Sequence, residues 1–283
     1  MSLQPPSPTP LLDVRNLAVR FATRNGSVDA VRGISFSVGR ERVGIVGESG
    51  SGKSMTGRAI LRLVRAPGIA TADRLALDGQ ELQGLSERQM RAIRGRRIAM
   101  IMQDPKYSLN PVMRVGRQLV EALKVHERVS ERAAAKRALA MLEEVQIRDP
   151  ERVFRAYPHE LSGGMGQRVM IAMMLVPRPD LLIADEPTSA LDVTVQLEVL
   201  KILDDLVRDR GMGLIFISHD LRLVSTFCDR VLVMYLGRIV EEIEADRLGE
   251  AKHPYTQGLL HCLPEIGGAR EPLPTLQRDE AWA

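Results

Sequence analysis

The chain has 283 residues, with 39 Lys and Arg against 36 Asp and Glu for a net charge of +3, and 45% hydrophobic residues. That length buries one large core or two modest ones. The balanced charge, with no Lys/Arg cluster interleaved with aromatics, argues against nucleic acid as a partner. No apolar run reaches the roughly 18 residues that cross a bilayer.

Residues 1–10, MSLQPPSPTP, lack the basic and apolar regions of a secretion signal and read as a proline-rich, disordered lead-in. Leu11–Phe21 and Val28–Val38 read as two strands joined at Asn25-Gly26, a hairpin signal. Val43–Val46 is a short β-branched run suited to a buried parallel strand. It feeds Gly47-Glu48-Ser49-Gly50-Ser51-Gly52-Lys53-Ser54, which fits G-x-x-x-x-G-K-[ST], the loop that cradles phosphate. Its glycines let the backbone turn tightly and bring N–H groups round an anion. From Lys53 the segment SMTGRAILRLV has helical spacing, so a helix dipole points its positive end at the loop. The pattern predicts Lys53 on the β/γ-phosphates and the Ser54 hydroxyl on Mg²⁺.

Ile98–Met102, Leu181–Ala184 and Leu214–Ile217 are further apolar runs suited to a parallel core sheet. Between them, Val112 to about Gln146 has the composition and periodicity of helices. From Val231, VLVMYLGRIVEEI reads as two strands around Gly237, and beyond His253 recurrent prolines (Pro254, Pro264, Pro272, Pro274) predict a loose tail. Cys228 and Cys262 lack metal-type spacing, which fits a reducing compartment and a soluble, intracellular chain. There is no internal repeat.

A second stretch sharpens the reading. Leu161-Ser162-Gly163-Gly164-Met165 lies about 20 residues before the apolar strand that ends in Asp185-Glu186. With the phosphate loop, it makes the chain resemble the ATPase subunit of an ATP-binding cassette (ABC) transporter, from about Leu11 to about Pro274. The resemblance implies an α/β P-loop NTPase cassette over residues 11–250. It has a mixed/parallel core sheet, an N-terminal antiparallel β region and a helical subdomain inserted at about 104–165. Residues 251–283 then form a C-terminal extension.

It also implies roles. Gly47, Glu48, Ser49, Gly50, Ser51, Gly52, Lys53, Ser54 and Met55 bind ATP, and Phe21 stacks on adenine. Asp185, with Ser54 and Gln103, holds Mg²⁺. Glu186 polarises the attacking water, and His219, after the strand Ile215-Phe216-Ile217-Ser218, contacts the γ-phosphate. Leu161, Ser162, Gly163, Gly164 and Met165 form the signature that meets ATP held by an opposing subunit. Ser189-Ala190-Leu191-Asp192 resembles the D-loop at that interface. His126, His159, His253 and His261 lack ligand spacing and read as structural or surface residues.

Two stretches narrow the branch. Gln103-Asp104-Pro105 with Ser108-Leu109-Asn110-Pro111 and Val115-Gly116, and His253-Pro254-Tyr255-Thr256 with Leu259-Leu260, are similar to the dipeptide/oligopeptide/nickel importer ATPases. The resemblance implies a second ABC ATPase as heterodimer partner, two transmembrane permeases, an extracytoplasmic binding protein, and a peripheral place on the cytoplasmic face of the membrane. Three departures stand out. Gly166 sits where relatives commonly carry a basic residue, which predicts reduced activity. The turn Gly39-Arg40-Glu41-Arg42 is one residue short. The tail has only Cys262, so no iron–sulfur cluster is expected, which shifts weight toward the shorter nickel-type members. A soluble ABC ATPase acting on DNA or the ribosome is the alternative of a different class, but the chain has no heptads or CxxC pairs and each motif occurs once. A non-hydrolysing structural cassette is disfavoured by Lys53, Asp185, Glu186 and His219.

Overall fold

The computed structural model describes residues 9–24, 26–102, 108–188, 192–262, 279 and 282. Its strands, in chain order, are β1 (Leu12–Thr23), β2 (Gly26–Val38), β3 (Arg42–Val46), β4 (Gly68–Thr71), β5 (Arg74–Leu77), β6 (Gln80–Glu81), β7 (Ile98–Ile101), β8 (Leu181–Asp185), β9 (Gly213–Ile217), β10 (Arg230–Tyr235) and β11 (Arg238–Glu244). The chain divides into two compact units, residues 1–86 with 220–283, and residues 87–219.

In the first unit β1 and β2 form the expected antiparallel hairpin, paired from Thr23 opposite Gly26 to Leu12 opposite Val38. Gly26 has φ +125°, a backbone only glycine takes readily; Asn25 lies outside the described residues. The other edge of β1 pairs with β4 and β5, neither of which the sequence pattern announces. β3 pairs in parallel with β10, and β11 folds back antiparallel on β10 through Gly237. Val43, Gly44, Ile45 and Val46 are all buried, which is why β3 is a continuous apolar run and not an alternating one. Gly44 is glycine for a packing reason. The helix Leu221–Phe227 lies so close that a Cβ there would come within 3.0 Å of the Val224 side chain. Arg42 and Asp229 tie the starts of β3 and β10 together, Nη2 to Oδ1 at 2.6 Å, with the Arg42 N–H donating to Oδ2 at 2.8 Å.

In the second unit β7, β8 and β9 are parallel, and every residue of all three is buried. The helices Val115–Lys124, Glu131–Glu144 and Pro150–Arg155 pack on one another, and the first two also pack on the helix Gly163–Leu175. The first two fill the stretch read as helical. Their break follows from chemistry: Ser130 Oγ accepts from Ala133 N at 3.3 Å and starts the second helix. Asp149 caps the third, with Pro150 at its first position. The long helix Val193–Arg210 starts on an Asp192 cap and ends at Gly211, with φ +56°. No described helix is long and apolar enough to cross a membrane.

Candidate functional site

The glycine-rich loop belongs to the first unit. It leaves β3 at Val46 and enters the helix Lys53–Ile60, with Gly47, Gly50 and Gly52 at φ +150°, +85° and +102°. Two of these positions are also crowded. A Cβ on Gly47 would come within 3.0 Å of the Met234 carbonyl oxygen, and one on Gly52 would do the same to the Ala30 carbonyl oxygen. At Gly50 a Cβ would meet nothing within 4 Å, so the loop is tight against β2 and β10 on one side and open on the other. The helix begins without a side-chain cap at Gly52, which leaves its positive dipole end facing the loop.

Lys53 is 6% exposed, and its ammonium curls back onto the loop, donating to the carbonyls of Gly47 at 2.6 Å and Glu48 at 2.8 Å. A buried cation needs such partners. Ser51 is 4% exposed, and its Oγ has no hydrogen-bond partner. Buried hydroxyls are normally satisfied, so this one, packed inside the loop beside Gly47, is an exception among the described residues. The positive-φ glycines, the curled ammonium and the uncapped helix start together make a cradle suited to phosphate. Ser54 and Met55 are partly exposed on the first turn of the helix. Phe21 is half-buried in β1, opposite Val28 on β2 and Gly68 on β4, with its ring lying over Gly68. The ring packs on β4 and keeps part of its surface open.

The acidic residues belong to the second unit. Asp185 ends β8 and is 5% exposed. Glu186 follows with φ +47°, a left-handed backbone rarely taken by a residue with a side chain and a form of strain that clusters at functional sites. Its N–H donates to the Ile217 carbonyl at 2.9 Å, which fixes the turn against the end of β9. That turn brings Glu186 Oε1 to 3.1 Å from His219 Nδ1, so two residues 33 apart in sequence meet. The glutamate is mostly buried (18% exposed) and the histidine mostly open (60%).

Ser162 caps the helix Gly163–Leu175, its Oγ accepting from Met165 N at 3.4 Å. Ser162 and Gly163 are exposed, and a Cβ on Gly163 would meet nothing, whereas Gly164 packs 2.9 Å from Val195 Cγ1 by the same measure. Leu161 and Met165 are partly buried beside them. Gly166 is buried and lines a cavity of about 410 Å³ with Leu109, Pro111, Pro158, His159 and Leu161.

Sequence reasoning missed Gln167. It is 2% exposed and donates from Nε2 to the Pro187 carbonyl, tying the signature helix to the segment just after Glu186. Arg168 adds a bond to the Gln146 carbonyl at 2.9 Å and an ion pair with Glu198. A polar residue on an otherwise apolar helix face was the available signal. Gln103, Ser189, Ala190 and Leu191 lie outside the described residues; Asp192 is the cap of Val193–Arg210. His126 sits against Gly95, its pKa held below the ordinary value by burial and by Arg96, as suits a structural histidine.

The family model described as ABC transporter matches residues 31–189. The oligopeptide transport ATP-binding protein OppD of Bacillus subtilis (strain 168) is 48% identical over 266 residues, 93% of this chain and 74% of the relative. The dipeptide transport ATP-binding protein DppD of Escherichia coli (strain K12) is 47% identical over 268 residues, 94% of this chain and 82% of the relative. Among solved structures, the ATP-binding cassette MJ0796, in a dimeric post-hydrolysis state bound to ADP and Pi, superimposes with a TM-score of 0.74 at 26% identity. That match covers 83% of this chain and 98% of the other. CbiO1 of Clostridium perfringens, part of the transporter complex cbiONQ, matches at TM-score 0.72 and 26% identity over 85% of this chain and 91% of the other.

Proposed function

Because this chain belongs to the ABC transporter family, we propose that it is the ATP-hydrolysing subunit that powers import of peptides across a cytoplasmic membrane. The observation that carries the chemistry is the phosphate cradle of Gly47–Ser54, with a buried lysine parked on its own loop carbonyls. Lys53 exchanges those neutral acceptors for the β/γ-phosphate oxygens, a stronger, charge-assisted pairing. The loop N–H groups and the helix dipole hold the same phosphates, and Phe21 stacks on the base. Glu186 polarises water for attack on the γ-phosphorus, and ADP leaves with inorganic phosphate as the second product. His219 holds the Glu186 carboxylate from one side and the γ-phosphate from the other. The work of these residues is positioning and charge neutralisation. Mg²⁺, when bound, neutralises phosphate charge; Ser54, Asp185 and Gln103 are the residues that would hold it.

Ser162 and Gly163, exposed at a helix start, act on ATP bound by an opposing cassette, so the working unit is a dimer with a second ATPase subunit. Two permeases and an external binding protein complete the assembly, and this subunit sits on the cytoplasmic face. The peptide assignment rests on relatives whose names are oligopeptide and dipeptide transporters. Those relatives do not favour the nickel reading that the single tail cysteine suggested, and neither is named for a role on DNA or the ribosome.

The test is affinity purification of the chain from mildly solubilised membranes of its host, with ATPase assay of the isolate. The expected isolate contains two multi-span permeases, a second cassette and a peptide-binding protein, and its hydrolysis is lost in Glu186→Gln. Recovery from the soluble fraction with ribosomes or DNA would sink the transport reading. Undiminished hydrolysis by Glu186→Gln would remove Glu186 from its role.

A further inference from the structure

His253-Pro254-Tyr255-Thr256 has no part in the roles assigned above, yet it reaches the phosphate loop within the first unit. The stretch starts the helix Pro254–His261, and its residue types explain how. His253 Nδ1 accepts from Tyr255 N at 3.2 Å as the cap, and Pro254 fills the first helical position, where a missing N–H costs nothing. Glu241 of β11 accepts from the backbone N–H groups of Lys252 at 2.7 Å and His253 at 3.3 Å, anchoring the helix start to the sheet.

This start drives Tyr255 inward. The side chain is fully buried, its ring 4.3 Å from that of Tyr235 and 6.4 Å from that of Trp282 between centroids. Its hydroxyl oxygen accepts the backbone N–H of Glu48 at 3.0 Å, across 207 residues of sequence. That N–H and the Gly47 carbonyl belong to one peptide group, and in a trans peptide they point in opposite directions. Lys53 Nζ donates to the carbonyl at 2.6 Å. One peptide is therefore gripped at both ends, by the Tyr255 hydroxyl and by the Lys53 ammonium. Rotating it would swing the carbonyl away from the lysine. A rigid aromatic stem with a polar tip, locked in a stack, suits such a strut.

We propose that Tyr255 is a positioning residue of the nucleotide site. From the C-terminal helix it sets the Gly47–Glu48 peptide, and with it the loop backbone that receives the phosphates and the carbonyl on which Lys53 rests before they arrive. The proposal rests on the reading of Gly47–Ser54 as the ATP cradle.

The test uses the full chain and its variant Tyr255→Phe, which keeps the ring stack and removes only the hydroxyl. Tyr235→Phe is the control, since it takes a hydroxyl from the neighbouring ring and leaves the acceptor for Glu48 in place. Two quantities are read: amide hydrogen exchange of a peptide spanning 47–53, and the Kd for trinitrophenyl-ATP. Tyr255→Phe should speed exchange in the loop with the β1–β2 hairpin unchanged. It should also weaken nucleotide binding about five- to tenfold, the scale of one hydrogen bond, while Tyr235→Phe stays at the wild-type value. Unchanged loop exchange or unchanged affinity in Tyr255→Phe, with wild-type binding intact, overturns the proposal. Equal weakening by Tyr235→Phe does too, since it would assign the effect to the stack. A wild-type chain that binds no analogue overturns the ATPase reading itself, and this inference with it.

Discussion

Two glycines in helices, Gly166 and Gly116, should respond to the same substitution with opposite signs. Gly166 lies in the interior of Gly163–Leu175, where glycine costs about 1 kcal/mol relative to alanine. A methyl group there enters the cavity of about 410 Å³ and meets no heavy atom within 4 Å, so nothing opposes the gain. Gly166→Ala should therefore stabilise by about 0.5–1 kcal/mol, raising Tm by roughly 1–4 °C. Gly116 lies in the first turn of Val115–Lys124, and a methyl there falls within 3.0 Å of the Phe154 ring. Overpacking of that kind costs about 1–3 kcal/mol. Set against a helix gain of at most about 1 kcal/mol, Gly116→Ala should lower Tm. Thermal unfolding of the two variants beside the wild type, followed by circular dichroism, reads both signs at once. A fall in Tm for Gly166→Ala, or a rise for Gly116→Ala matching that of Gly166→Ala, would refute the packing argument. The same position tests the charge argument. Gly166→Arg restores a cation beside the exposed Ser162 and should raise the ATPase rate, and an unchanged rate would count against that role.

Removing the loop cation by Lys53→Ala should weaken ATP turnover by about a hundredfold or more, as loss of a preorganised electrostatic group does, with Tm close to wild type; retained hydrolysis in a phosphate-release assay would dismiss the cradle. Asp229 has a lowered pKa. Burial alone would raise it, but the hydrogen bonds and charge of Arg42 outweigh that. A depressed carboxylate adds stability above its ordinary value of 3.8 and loses it as pH falls through the folded value. Asp229→Asn should thus cost about 1 kcal/mol at pH 7, discounted for a pair this exposed. The gap from wild type should close in the acid limb of a Tm-against-pH series, and a gap that widens there would contradict the pairing. Cys228 is buried, and that burial pushes its thiol well above the usual range, while Cys262 is partly exposed. A thiol reagent at pH 8 should label Cys262 quickly in the native chain and Cys228 only on unfolding; equal rates in peptide mapping would show that the β3 side of the first unit opens.

Much of the local architecture was readable because local physics fixes it. The β1–β2 hairpin follows from alternation and a glycine turn, β3 and β7–β9 from unbroken apolar runs buried on both faces, and the helices between 115 and 144 from periodicity and a serine cap. The helix Val193–Arg210 carried equally plain signals in Asp192 and Gly211. β4 and β5 were not legible: four residues each, GIAT and RLAL, give no period to detect. They exist because β1 has an edge for them to pair with, and that edge lies more than 45 residues earlier in the chain.

The sequence by itself determined three local stretches of this protein: a glycine-rich loop after β3, a serine-capped helix start and an acidic strand end, each contiguous and with residue types that meet a local backbone demand. Only the tertiary structure decided how those parts are held. It put Glu186 in a left-handed turn against His219, Gln167 on the Pro187 carbonyl, and Tyr255 on the Glu48 N–H. No pattern in the chain says which partner each of these side chains takes. Each contact joins residues 20 to 207 positions apart, and forms only once the cost of closing that loop has been met by packing elsewhere.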